Sequence, residues 1–180
     1  MSTLENDRHC ILGRIKLPWE EGLSLFCTAS FGSEGSPYHC DNYNAYYALD
    51  FDRPWKGNIE PETRILSIAD GIIRSIGNEP NSLGLFVEIF HIARISSLYI
   101  HLKEIDKNIC IGKFIKQGMP IGLLGETGKA AGPHLHFQLL VDGFCLQENK
   151  EAKIEPISGY SNLKIGQWYQ SDNILVNIDS

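Results

Sequence analysis

Long apolar runs are missing from this chain. None approaches the roughly 18 residues that a membrane-spanning helix needs, so no transmembrane helix is expected. Basic runs are missing too. The 16 Lys and Arg stand against 22 Asp and Glu, for a net charge of -6. No cationic stripe could follow a phosphate backbone, which argues against a nucleic-acid partner. No Cys-x-x-Cys pair occurs, and the five cysteines, Cys10, Cys27, Cys40, Cys110 and Cys145, are odd in number and widely spaced. That is no disulfide framework, although it leaves room for one or two bridges. The opening residues Met1 to Arg8 lack the basic and apolar regions of a signal peptide. Sustained 3.6-residue periodicity, internal repeats and low-complexity segments are absent as well, so long helices and solenoids are not expected.

What remains is 180 residues, 43% hydrophobic and 21% charged, enough for one domain with a sizeable core. Strand-like segments dominate. They fall at residues 9–17, 23–29, 45–51, 64–69, 72–76, 85–91, 95–102 and 174–178. The Asp70-Gly71 pair reads as a hairpin turn between the fourth and fifth of these. Residues 85–91 and 95–102 read as an antiparallel pair, and 103–108 as one helical turn. From Gly112 to Gly132 a glycine falls every few residues, as in tight β structure. The expected fold is mainly β: a single antiparallel β-sheet domain with long active-site loops and few or no long helices. Its core would span residues 17–146, with an N-terminal extension at 1–16 and a C-terminal extension, 147–180, packing on it.

The chain is organised around Gly132-Pro133-His134-Leu135-His136-Phe137. Alternate residues of a strand share a face, so His134 and His136 reach one spot while Leu135 and Phe137 point the other way. Both histidines of such a pair could bind one metal. His101, in Tyr99-Ile100-His101-Leu102, closes a strand on which Tyr99 and His101 would share a face. His39 sits in a long polar loop, residues 31–44, of the kind that is usually functional. Asp50 lies between Leu49 and Phe51 and is awkward to bury without a partner; a metal, a salt bridge or a turn hydrogen bond would serve. His91 and His9 read as structural histidines, and Cys27 and Cys110 as core residues. The run Leu123 to Ala130 lacks the first Gly and the Ser/Thr of a phosphate-binding loop. Met119 is followed by Pro120, where a biotinyl or lipoyl carrier domain would need its attachment lysine.

The order of a His, an Asp-Phe strand, Tyr-x-His-Leu, a Gly-rich run and Gly-Pro-His-Leu-His-Phe resembles the lysostaphin-type zinc metalloendopeptidases, the murein endopeptidases. The resemblance runs from about Leu17 to Val141. It implies a zinc ion held by His39, Asp50 and His136, with His101 and His134 catalytic. It implies a peptidoglycan or peptide substrate, cut at its cross-links, and a site of action outside the cytoplasm. One departure is plain. The family usually spaces the first His and the Asp as His-x-x-x-Asp, whereas here Asp50 comes 11 positions after His39. Cys40 and Asp41 therefore stand as rival ligands, and Tyr43, Tyr46 and Tyr47 as candidate cleft residues. A regulator of the same fold without activity, or an extracellular protease acting on Gly-rich proteins, are the alternative functions.

Overall fold

The computed structural model describes residues 14–30, 36–40, 45–54, 62–142, 144–145, 159–160 and 163–176. Among these described residues twelve strands appear in chain order: β1 Ser24–Ala29, β2 Leu49–Asp52, β3 Arg64–Leu66, β4 Gly71–Glu79, β5 Gly84–Phe90, β6 Ile95–Leu102, β7 Glu104–Ile105, β8 Phe114–Ile115, β9 Pro120–Leu123, β10 Leu135–Val141, β11 Phe144–Cys145 and β12 Trp168–Gln170. They form two antiparallel sheets. The large sheet has the order β12-β1-β2-β10-β6-β5-β4-β8, with β11 pairing on β10; the small one is β3-β9-β7. The mainly β expectation is met. Among the described residues the one helical piece is a 3₁₀ turn at Ile92–Arg94, and no helix is long and apolar enough to cross a membrane.

The two-residue alternation of the sequence explains the layering. Leu25 and Cys27 of β1, Leu49 and Phe51 of β2, and Leu135, Phe137 and Leu139 of β10 all point into one core. There they meet Ile65 of β3 and Ile121 of β9 from the small sheet. Aromatic rings knit the centre. Trp19 stands edge-on to Phe51 with centroids 4.9 Å apart, and Tyr99 leans on Phe137 at 5.4 Å. The opposite face of β2 and β10 carries Asp50 and His136, and His134 stands just before β10, bridged to Gly125.

The structure corrects several expected elements. Residues 14–17 form no strand, and residues 9–13 lie outside the described part. Asp70-Gly71 does not close a hairpin, because β3 pairs with β9 while β4 pairs with β5 and β8. The turn is instead a crossing between sheets, anchored by Gln117, whose backbone N–H donates to the Asp70 carboxylate at 2.8 Å. Residues 103–108 hold β7 and a turn rather than a helical turn, since Glu104 and Ile105 pair with β9. The strand expected from Ala45 begins only at Leu49, after a turn closed by Ala48 N–H on the Ala45 carbonyl at 2.9 Å. Near the end of the chain the strand is Trp168–Gln170, which adds an edge to β1; residues 174–176 form no strand, and residues 177–178 lie outside the described part. Cys110 is exposed rather than in the core, on the loop leading to β8, whereas Cys27 is buried as expected. The cysteines Cys27, Cys40 and Cys110 are all free thiols.

Candidate active site

Strand register assembles half of the site. In the antiparallel pairing of β10 with β2, His136 lies directly opposite Asp50. Cross-strand neighbours on one face touch, and His136 Nδ1 stands 2.9 Å from Asp50 Oδ1. The loop before β2 folds back to supply His39, fully buried, with Nε2 3.1 Å from the same oxygen. The three ligand-type atoms lie within 4.8 Å of one another, and this is the set of metal-binding geometry found among the described residues. Cys40 is half-buried and outside that set, and Asp41 and Tyr43 fall outside the described residues.

Both imidazoles are held from behind. His39 Nδ1 sits 2.9 Å from the Ser30 carbonyl, and His136 Nε2 sits 3.1 Å from Gln138 Oε1. A ring nitrogen this close to a carbonyl oxygen carries its proton there, so in the neutral rings His39 Nε2 and His136 Nδ1 present lone pairs to Asp50. Three acceptors thus converge on one point. Such a set must either take up protons or hold a cation. In the absence of a metal it takes protons. Burial pushes His39 down, but the hydrogen bond and charge of Asp50 outweigh it and raise the imidazole above its ordinary value. Burial likewise opposes ionisation of Asp50, yet His136 and His39 hold its carboxyl well below the usual carboxylate range. Two imidazoles and one carboxylate, each imidazole steadied by an outer hydrogen bond, suit a divalent cation of the zinc type.

A second imidazole pair lies beside this cluster. His101 and His134 have ring centroids 4.9 Å apart, and His134 Nε2 is 4.0 Å from Asp50 Oδ1. His134 Nδ1 donates to the Gly132 carbonyl and His101 Nδ1 to the Thr127 carbonyl, each at 2.8 Å. Burial and the neighbouring His134 push His101 down to about 4, so it is neutral around pH 7. Tyr99 and His101 do not share a face, contrary to the simple alternation of a strand. Leu85 pairs with Leu102 and Val87 with Tyr99, so Ile100 and His101 together oppose one residue. That bulge sends Tyr99 and Leu102 into the core and turns His101 toward His134.

The other candidates fall into structural places. His91 is buried, with Nδ1 2.7 Å from the Asp70 carbonyl and Nε2 2.8 Å from Ser97 Oγ. Tyr46 is exposed, and Tyr47 is half-buried against the core. Sequence reasoning missed Ser30 and Gln138. Gln138 was within reach of it, because His136 and Gln138 are alternate residues of one strand; nothing local marks Ser30.

Comparison with known proteins agrees with this geometry. Residues 55–149 match the sequence model of peptidase family M23, a span that includes His101, His134 and His136 and starts after His39 and Asp50. Peptidoglycan DD-endopeptidase ShyC of Vibrio cholerae is 39% identical over 82 residues, which cover 45% of this chain and 18% of that protein. An uncharacterized metalloprotease of Haemophilus influenzae is 30% identical over 94 residues, covering 51% of this chain and 19% of its own. The chain thus spans about a fifth of the length of these relatives. Among solved structures, the M23 metalloprotease pseudoalterin from the deep sea superposes with a TM-score of 0.55 at 23% identity, over 73% of each chain. The catalytic domain of the prophage-encoded M23 protein EnpA from Enterococcus faecalis gives 0.53 at 23% identity, covering 66% of this chain and 82% of that one. These likenesses establish a shared fold.

Proposed function

Because the chain belongs to peptidase family M23, we propose that it is a zinc-dependent endopeptidase that hydrolyses peptide cross-links of bacterial peptidoglycan. A wall substrate entails work outside the cytoplasmic membrane. The observation that carries the reading is the convergence of His39 Nε2, His136 Nδ1 and Asp50 Oδ1 next to a second, separately anchored pair of imidazoles. The peptidoglycan endopeptidases among the relatives support the choice of substrate.

In this reading His39, Asp50 and His136 hold the metal. Zinc bound by such a set supplies Lewis acidity, lowering the pKa of water toward about 7 and polarising a peptide carbonyl. His101 and His134 move the protons. Their Nδ1 protons are committed to backbone carbonyls, so each works through Nε2. One Nε2 takes the proton of the attacking water. The other donates to the oxyanion that develops on the carbonyl and then protonates the leaving amine. His101 enters neutral, as an acceptor must. The core beneath the site, with Phe51 and Phe137 behind Asp50 and His136, keeps the ligands from swinging away.

Two measurements together test this. Protein purified from zinc-containing medium should hold about one zinc per chain. It should release cross-linked peptides from purified cell walls, identified by mass, and stop when a chelator is added. His136→Ala should lose metal and activity together. His101→Ala and His134→Ala should keep zinc and cleave roughly 10²–10⁴-fold more slowly. A metal-free wild type, or a zinc-loaded one that digests no walls, would reject the reading; a metal-free chain without activity is the outcome an inactive regulator would give.

A further inference from the structure

We propose that Thr127 is the positioning residue of His101: it sets the tautomer and aim of that imidazole from outside the reacting groups. The proposal rests on the reading of His101 as a proton-transfer group. His101 occupies an unusual backbone state. Its φ is +64°, in the left-handed region that favours glycine, at the bulge between β5 and β6. A residue held this way needs surroundings that leave it no alternative. Thr127 provides them through three hydrogen bonds. Its carbonyl accepts His101 Nδ1–H at 2.8 Å. Its hydroxyl donates to the Leu102 carbonyl at 2.7 Å and accepts the Leu85 N–H at 2.8 Å. Leu102 is the residue after His101, and Leu85 is its partner across the bulge. One side chain therefore ties the loop to both strands at the point where the register slips, and the same residue's backbone holds the ring.

The loop is seated by contact as well. Gly84 and Gly128, both at positive φ, pack backbone against backbone. A Cβ on Gly84 would lie 2.3 Å from the Thr127 carbonyl carbon, and one on Gly128 would lie 2.2 Å from Gly84 N. Lys129 N–H adds a bond to the Ser82 carbonyl at 2.8 Å. With the loop clamped there, the Thr127 carbonyl cannot track a wandering imidazole. It selects one orientation and one tautomer, with the proton on Nδ1 and Nε2 left to accept. Valine has the shape of threonine without the hydroxyl, so it would remove the side-chain ties to Leu85 and Leu102 at the bulge. Serine keeps both bonds.

The test uses the zinc-loaded full chain with Thr127→Val and Thr127→Ser. Thr127→Val should keep its zinc and its cooperative unfolding, and lose about 100-fold in kcat with KM little changed, as expected when a reacting group is displaced by about 1 Å. Thr127→Ser should restore most of the rate. Nitrogen-15 spectra at neutral pH should show one His101 tautomer, protonated at Nδ1, in the wild type and in Thr127→Ser, and a mixture in Thr127→Val. An unchanged tautomer or an unchanged kcat in Thr127→Val would overturn the proposal. So would Thr127→Ser behaving like Thr127→Val, because the methyl group and not the hydroxyl would then matter. Thr127→Ala serves in its place if Thr127→Val does not fold; failure of both to fold, with Thr127→Ser intact, makes Thr127 purely structural and overturns the proposal too. A wild type without wall-cleaving activity would reject the enzymatic reading alone, since the tautomer comparison still decides the positioning.

Discussion

For single residues, the site is a matter of which nitrogen faces where. An imidazole presents a lone pair to a metal only if its proton is held on the far side, and His39 and His136 achieve this through Ser30 and Gln138. Removing such an outer partner leaves the imidazole in place but lets its ring turn and tautomerise. Gln138→Leu should therefore weaken zinc binding by about 10–100-fold without unfolding the protein, as a chelator-competition titration would show. Unchanged affinity would mean that the β-strand alone orients His136. Cys40 makes a control. It neighbours His39 but stands outside the converging set, so Cys40→Ser should retain the full zinc complement.

Among the elements, β10 is a strand with two jobs on its two faces. His136, with His134 just before the strand, faces the site, while Leu135, Phe137 and Leu139 face the core. The alternation couples them. A cavity under Phe137 loosens the strand that carries His136 and begins directly after His134. Phe137→Ala should cost about 3–5 kcal/mol in urea unfolding and should weaken zinc binding as a secondary effect. A loss confined to stability, with metal affinity unchanged, would mean that pairing of β10 with β2 and β6 suffices to keep the site in register. The bulge in β6 is the complementary case. There an element breaks the alternation, so that Tyr99 and Leu102 can both enter the core while His101 faces outward, and the strand pattern by itself could not announce it.

Across the whole molecule, the histidines give the metal-free protein a stability maximum in pH. Burial pushes His91 below its ordinary value of about 6.5, more strongly than the Asp70 carbonyl and charge pull it up, and burial with His134 pushes His101 to about 4. As pH falls below about 6.5 the unfolded chain takes up protons that the folded chain refuses, so stability drops until the folded groups titrate. His39 works in the opposite sense. Its raised folded value means that its contribution is complete below about 6.5 and is lost as pH rises through that higher value. Urea titrations of the metal-free chain should therefore peak near pH 6.5, with His91→Gln flattening the acid side. In the proposed reading zinc would take the place of the proton between His39 and Asp50, so saturating zinc should raise the melting temperature and abolish the alkaline fall. A fall on the alkaline side that persists with zinc would point to another group.

Covalent alternation and residue type were enough to place some of these groups before any fold was known. His134 and His136 had to share a face if residues 132–141 were extended, Leu135 and Phe137 had to take the other, and Asp50 between Leu49 and Phe51 had to need a partner. The scarcity of helical periodicity already made the chain a β protein. Which strand lies beside which was settled by tertiary packing. It put Asp50 opposite His136 through the register in which the apolar side chains of β2 and β10 enter one core, and it sent β3 to the small sheet although Asp70-Gly71 favoured a local hairpin. It also brought His39 onto Asp50 across 11 positions of chain and Thr127 onto His101 across 26. Such contacts join residues whose separation no local propensity can sense. Their free energy comes from burial and pairing realised only when the sheets close, and a two-residue period carries no record of it.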